Sequence, residues 1–112
     1  MSSRNKPVAC CAPPHHDPLA EPVRTDLVSL AKAIADPTRL EVVRLLAAQA
    51  APVCACDIAA LFELSQPTMS HHLKKLVDAG LVRSERSGLW NYYTVDADAS
   101  ARLMGLVRLV AA

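Results

Sequence analysis

Glycine is scarce in this 112-residue chain, with Gly80, Gly88 and Gly105 its only three, and they are too far apart to build a phosphate-cradling loop. Without such a loop, or a base placed to activate a nucleophile, thiol chemistry on an oxyanion has no machinery, and an enzyme is not expected. Long apolar runs are missing too. Apolar residues make up 52% of the chain, yet no uninterrupted stretch approaches the roughly 18 residues that span a bilayer. Arg4 and Lys6 open the amino terminus, but Pro7, Pro13, Pro14, His15 and His16 follow where a secretory signal requires an apolar segment. A soluble, cytoplasmic protein with no membrane partner is expected. Nor is there a strong excess of one charge: at +1, the net charge does not by itself announce a polyanionic partner.

Four cysteines are present, grouped as Cys10-Cys11 and as Cys54 and Cys56. In a reducing cytosol such groups serve as metal ligands or redox centres more often than as structural disulfides. Residues 1–24, rich in proline and without apolar periodicity, read as a flexible arm carrying Cys10-Cys11. Residues 25–110 read as one packed domain, short enough for a core shared between two copies to add considerably to its stability. A homodimer is expected.

Within that domain the expected architecture is mainly α with a small β-hairpin. Thr25 is placed to cap a first helix with Leu27, Leu30, Ala31 and Ile34 on one stripe. Asp36-Pro37 ends it and starts a second, with Leu40, Val43 and Leu46 inward and Arg39, Glu41 and Arg44 nearer solvent. After Pro52, Asp57 can cap a short helix with Ile58, Ala59, Leu61 and Phe62. Glu63-Leu64-Ser65 makes a turn, and Ser65 caps a further helix with Pro67 in its first turn. On this helix Met69, Leu73, Leu76 and Val77 gather on one side, leaving Thr68, His71, Lys74, Lys75 and Asp78 on the other. Ala79-Gly80 stops it. Leu81 to Ser84 and Trp90 to Val95 are strand candidates around a charged tip, Glu85-Arg86-Ser87-Gly88. A last helix from about Asp98 is apolar on too many sides to stand alone.

Cap, turn, second cap, glycine stop and hairpin, in that order, have the form of a winged helix-turn-helix. Such a motif lays its second helix in the major groove with the amino-terminal half at base edges. Ser65, Gln66, Thr68, Ser70 and His71 are the candidate readers, Gln66 offering its amide to adenine and Thr68 a hydroxyl and a methyl. Lys74, Lys75, Arg83 and Arg86 suit phosphates of double-stranded DNA, where they position the protein without specifying sequence. His72, on the flank of the apolar stripe, reads as a hydrogen-bonded structural histidine.

Three segments carry a family resemblance: Asp36 to Leu40, Ser65 to Leu76, and Ala79-Gly80-Leu81-Val82 with Trp90-Asn91-Tyr92-Tyr93. Together they resemble the ArsR/SmtB family of metal-sensing repressors over roughly residues 25–110. The resemblance implies a homodimer that occupies an operator when metal-free and leaves when metal binds. Cys54-Ala55-Cys56-Asp57 resembles the Cys-Val-Cys-Asp motif of arsenic- and cadmium/lead-responsive members. Residues two apart on a regular helix point about 200° apart, so the pair can share one ion only at a frayed helix entry. There the positive end of the helix dipole favours thiolate, with Asp57 partly opposing it. Cys10 and Cys11 are the further donors at hand, and His15 and His16 are secondary ones. Thiolates select soft ions, so As(III) or Sb(III) is the expected inducer, with Cd(II) or Pb(II) as alternatives. A thiol-disulfide switch joining Cys10 or Cys11 to Cys54 or Cys56 is a further alternative. The family's second site, built on the last helix from Asp and His, is not expected, because no histidine or cysteine follows His72.

Overall fold

A computed structural model describes residues 25–111. Their order is α1 (Thr25–Ile34), α2 (Pro37–Ala47), β1 (Val53–Cys54), α3 (Ala55–Leu61), α4 (Gln66–Asp78), β2 (Val82–Ser87), β3 (Trp90–Val95) and α5 (Ala97–Val110).

The break between α1 and α2 follows from Asp36-Pro37. Asp36 is extended (φ −151°, ψ 130°) and its carboxylate accepts the Arg39 amide at 3.0 Å, while Pro37 fits the first turn, where no amide donor is needed. Leu27, Leu30 and Ala33 are the buried residues of α1, so the stripe is rotated towards Ala33 from the expected Ala31. In α2 the inward line is Val42 and Leu46, whereas Leu40 is 42% exposed, contrary to expectation. The helix is flanked by α1, α4 and β3 together, and these three neighbours, not a single opposing face, decide which side is covered.

The helix α4 carries its own start and stop. Ser65 is its N-cap, Pro67 sits in the first turn, and Gly80 at φ 83° ends it. The Leu81 amide reaches back to the Leu76 carbonyl (3.1 Å) and the Gly80 amide to Val77 (2.9 Å), a pairing that needs a left-handed residue at Gly80. Met69, Leu73 and Leu76 are enclosed together with Leu30, Val42, Ile58, Leu81 and Val82. The turn before α4 uses Phe62 as C-cap and places Glu63 at φ 54°, an unusual conformation for a residue with a side chain. Leu61 is 66% exposed.

Two differences concern the sheet. The strands β2 and β3 pair through Ser87↔Trp90, so Glu85, Arg86 and Ser87 belong to the strand and the turn is Gly88-Leu89, with Gly88 at φ 64°. In addition, β1 pairs with β3 (Val53↔Tyr93, Cys54↔Tyr92), giving an antiparallel sheet of order β1-β3-β2. A two-residue strand is too short for alternation to show in sequence. The result is a winged helix-turn-helix: α3 and α4 form the helix pair and the β2–β3 hairpin forms the wing.

In α5, Asp96 accepts the Ala99 amide at 2.9 Å as N-cap. Leu103 and Leu106 rest against the core, but Met104, Val107, Leu109 and Val110 are exposed. Among the described residues no helix is long and apolar enough to cross a membrane.

Candidate functional site

The outer face of α4 is a row of polar side chains held by a rigid helix. Gln66, Thr68, Ser70, His71, Lys74 and Lys75 are all exposed. Ser65, also exposed, differs from the others in its bonding. Its Oγ accepts the Thr68 amide at 3.3 Å and donates to Thr68 Oγ1 at 2.9 Å, so it fixes the helix start and orients Thr68. Lys74 Nζ lies 3.1 Å from Asp78 Oδ2, whereas Lys75 makes no ion pair among the described residues. A phosphate must therefore compete with Asp78 for Lys74 but not for Lys75.

Both wing arginines are exposed, yet they do not share a face. Residues directly paired across strands point the same way and alternate along each strand. Arg83 pairs with Thr94 and Arg86 with Asn91, an odd number of steps apart, so they project from opposite faces of the hairpin. The Nε of Arg86 donates to the Gly88 carbonyl at 3.2 Å and braces the tip.

His72 faces inward from α4 and is only 18% exposed. Its Nδ1 lies 3.5 Å from Arg39 Nη1 and 3.9 Å from Asp36 Oδ2, and Arg39 Nε donates to the Ala33 carbonyl at 2.6 Å. With Nδ1 unprotonated, the ring accepts from the guanidinium and ties α4 to the start of α2. Arg39, which the helical pattern places towards solvent, is thus part of a structural junction. The Arg39 amide does most to hold the Asp36 carboxyl below its ordinary value; burial opposes it, and the charge of Arg39, with that of His72 when the ring is protonated, adds to the lowering. Sequence pattern gives no sign that His72 joins Asp36 and Arg39, because it comes from a separate helix.

The second cluster lies where β1 becomes α3. Cys54 ends the strand and serves as N-cap with extended backbone (φ −69°, ψ 141°), and no side-chain hydrogen bond caps the helix. Asp57, expected as the cap, sits in the first turn instead. Because Cys54 is not helical, the helical angular spacing does not apply, and the sulfurs of Cys54 and Cys56 meet at 2.7 Å as free thiols. Cys54 is buried and Cys56 half-buried. The Cys56 thiol is pushed above its ordinary pKa, first by hydrogen bonding with Cys54, then by burial and by the charges of Cys54 and Asp57; only its contact with the Asp57 backbone opposes this. The helix entry therefore does not yield a ready thiolate, because the second sulfur outweighs the amide end. Burial, with a smaller effect from Cys54, likewise raises the Tyr93 phenol.

Two thiols do not complete a thiolate site. Among the described residues no cluster of three or more His, Cys, Asp or Glu could hold a metal ion. Cys10, Cys11, His15 and His16 lie outside the described residues. The donors that are described, two soft sulfurs brought into contact, fit a thiophilic ion and would not satisfy a hard one.

Comparison with known proteins gives a consistent result. Residues 36–84 match the family model described as bacterial regulatory protein, arsR family. The chain is 43% identical over 65 residues to an arsenical resistance operon repressor of Bacillus subtilis, covering 58% of this chain and 61% of that protein. It therefore spans less than two thirds of that relative's length. It is 31% identical over 86 residues to a cadmium resistance transcriptional regulatory protein CadC homolog of Staphylococcus aureus, covering 77% and 70%. Among solved structures, a homodimeric winged helix-turn-helix DNA-binding domain from Mycobacterium bovis aligns with TM-score 0.62 at 33% identity, covering 77% of this chain and 78% of the other.

Proposed function

Because the chain belongs to the arsR family of bacterial regulatory proteins, we propose that it is a homodimeric repressor that holds operator DNA when metal-free and releases it on thiolate coordination of As(III) or Sb(III). The observation that carries this reading is the contact of Cys54 and Cys56 at the hinge between β1 and α3, the helix that leads directly into α4. Cys54 and Cys56, with Cys10 and Cys11 as the remaining donors, would hold the ion. A soft ion supplies strong sulfur bonds that are directional enough to reposition both side chains.

The physical route is short. Thiolates that share one ion would be held at a separation set by the ion, not by the fold, and that separation would exceed the 2.7 Å at which the two sulfurs start. Any shift of the Cys54 side chain on coordination would bear on the Cys54 backbone, which is shared between the sheet and the start of α3. The helix α3 packs against α4, so the reading helix follows. In a dimer the two α4 helices must present themselves about 34–36 Å apart to meet successive major grooves. A small rotation on each side therefore costs much of the contact. Coupling of about 1–3 kcal/mol, typical of allosteric proteins, weakens operator binding roughly 5- to 150-fold. The exposed apolar residues of α5 and the partly exposed Val28 of α1 supply the surface for the dimer.

A second reading keeps the mechanism and changes the ion. Four thiols in two pairs suit Cd(II) or Pb(II), and the cadmium-resistance relative favours it.

The test uses duplex DNA enriched by selection with the reduced, metal-free chain, and follows release by fluorescence anisotropy during titration with arsenite, antimonite, cadmium, lead and zinc. Release by arsenite and antimonite at the lowest concentrations, abolished by Cys54→Ser and by Cys10→Ser/Cys11→Ser, is expected. Full release of the Cys54→Ser variant would overturn the assignment.

A further inference from the structure

The two sulfurs at the β1–α3 hinge are already closer than a shared metal ion would hold them. We propose that Cys54 and Cys56 close on each other as a disulfide when a hydroperoxide reaches them, and that the closed pair is a state that keeps the operator but can no longer be induced. The claim of lost induction rests on the repressor reading above; the disulfide itself does not.

Three observations support it. First, the thiols are free and 2.7 Å apart, on residues whose backbones, one extended and one helical, already turn both side chains to the same side. Bonding brings the sulfurs to about 2.05 Å, a contraction, whereas two thiolates sharing one ion would stand further apart than the present 2.7 Å. Oxidation and metal loading thus move the hinge in opposite directions, and a disulfide cannot imitate the loaded state. Second, the Cys54 side chain makes no capping bond to α3, so nothing that supports the helix start is lost when its sulfur is tied. Third, the ladder Val53↔Tyr93, Cys54↔Tyr92 is made by backbone groups and is untouched by sulfur chemistry.

The order of events follows from exposure. The sulfur of half-buried Cys56, as thiolate, attacks one peroxide oxygen; the O–O bond breaks, that oxygen stays on sulfur as a sulfenic acid, and the other leaves as water after taking up a proton. Buried Cys54 then gives up its proton and its sulfur attacks Cys56, the S–S bond forming as the S–O bond breaks and a second water departs. Two thiols lose two electrons and one hydroperoxide becomes two waters when it is hydrogen peroxide. The second step is intramolecular.

The experiment treats the full-length reduced chain, and its Cys10→Ser/Cys11→Ser variant, with hydrogen peroxide. It reads free thiols, peptide masses, and operator binding with and without arsenite. The variant is expected to lose both remaining thiols, with two hydrogens missing from the peptide that holds Cys54 and Cys56 and no cross-linked dimer. The oxidised wild-type chain should carry the same link. It should bind DNA within the roughly fivefold that marks the low end of allosteric coupling, show no sulfur-to-arsenic absorption, and regain its arsenite response after reduction. A link from Cys54 or Cys56 to Cys10, Cys11 or a second chain would overturn the proposal, as would loss of operator binding on oxidation. If the reduced wild-type chain ignores arsenite, the repressor reading fails, while the mass of the peptide still decides whether the disulfide forms.

Discussion

The helices α3 and α4 are neighbours in chain and space, yet they are built on different terms. The longer one, Gln66–Asp78, has a serine cap, a proline in its first turn, three enclosed apolar side chains and a glycine stop. The shorter, Ala55–Leu61, begins at a cysteine without a capping bond and ends through a strained Glu63, and it owes its start to pairing of β1 with β3. One helix is fixed by its own residues, the other by its attachments. For the proposed repressor that is a useful division: the helix proposed to read DNA stays rigid, and the element that carries Cys56 has little of its own to resist a pull.

The largest expected effect tests this contrast in the core. Leu73 of α4 is fully enclosed, so Leu73→Ala should cost about 2–5 kcal/mol. Leu61→Ala in α3, where the side chain is 66% exposed, should change stability by no more than about 0.5 kcal/mol. Urea midpoints measured on both variants decide it, and equal losses would mean that α3 is packed as firmly as α4.

Next comes the cap. Ser65→Ala removes the acceptor of the Thr68 amide and should cost about 1 kcal/mol by thermal unfolding. It should also weaken operator binding by freeing Thr68, which a purely structural cap far from DNA would not do.

On the DNA side, Lys75→Ala should reduce the slope of log affinity against log salt by about 1, the value for one phosphate contact. Lys74→Ala should change it less, since Asp78 already holds that ammonium. A full unit for Lys74 would show that the pair opens on the operator.

The smallest effect is at the junction behind α4. The Asp36 carboxyl is held below its ordinary value near 3.8, so its ionised form stabilises the fold above that value and the benefit is lost as pH falls through the lower folded value. Asp36→Asn should therefore narrow the difference in melting temperature between neutral pH and pH below about 4. An unchanged pH profile would remove Asp36 from the junction with Arg39 and His72.

The sequence by itself determined the helix-turn-helix and its polar face. Asp36-Pro37, Ser65 with Pro67, Gly80 and the 3.6-residue spacing of Met69, Leu73 and Leu76 act within a few residues of where they stand, so their consequences can be read locally. It also placed the cysteine pair at a helix entry, since no regular helix could bring those two sulfurs together. Tertiary structure decided the rest. The register of β1 on β3 made Cys54 the cap, displaced Asp57 from that role and set the two sulfurs in contact. Packing from three sides turned Val42 inward and left Leu40 out, and the pleat sent Arg83 and Arg86 to opposite faces. His72 found Arg39 and Asp36 across two separate helices. Each of these depends on which distant strand or helix arrives alongside, and a periodic pattern records how one element repeats, not what it will meet.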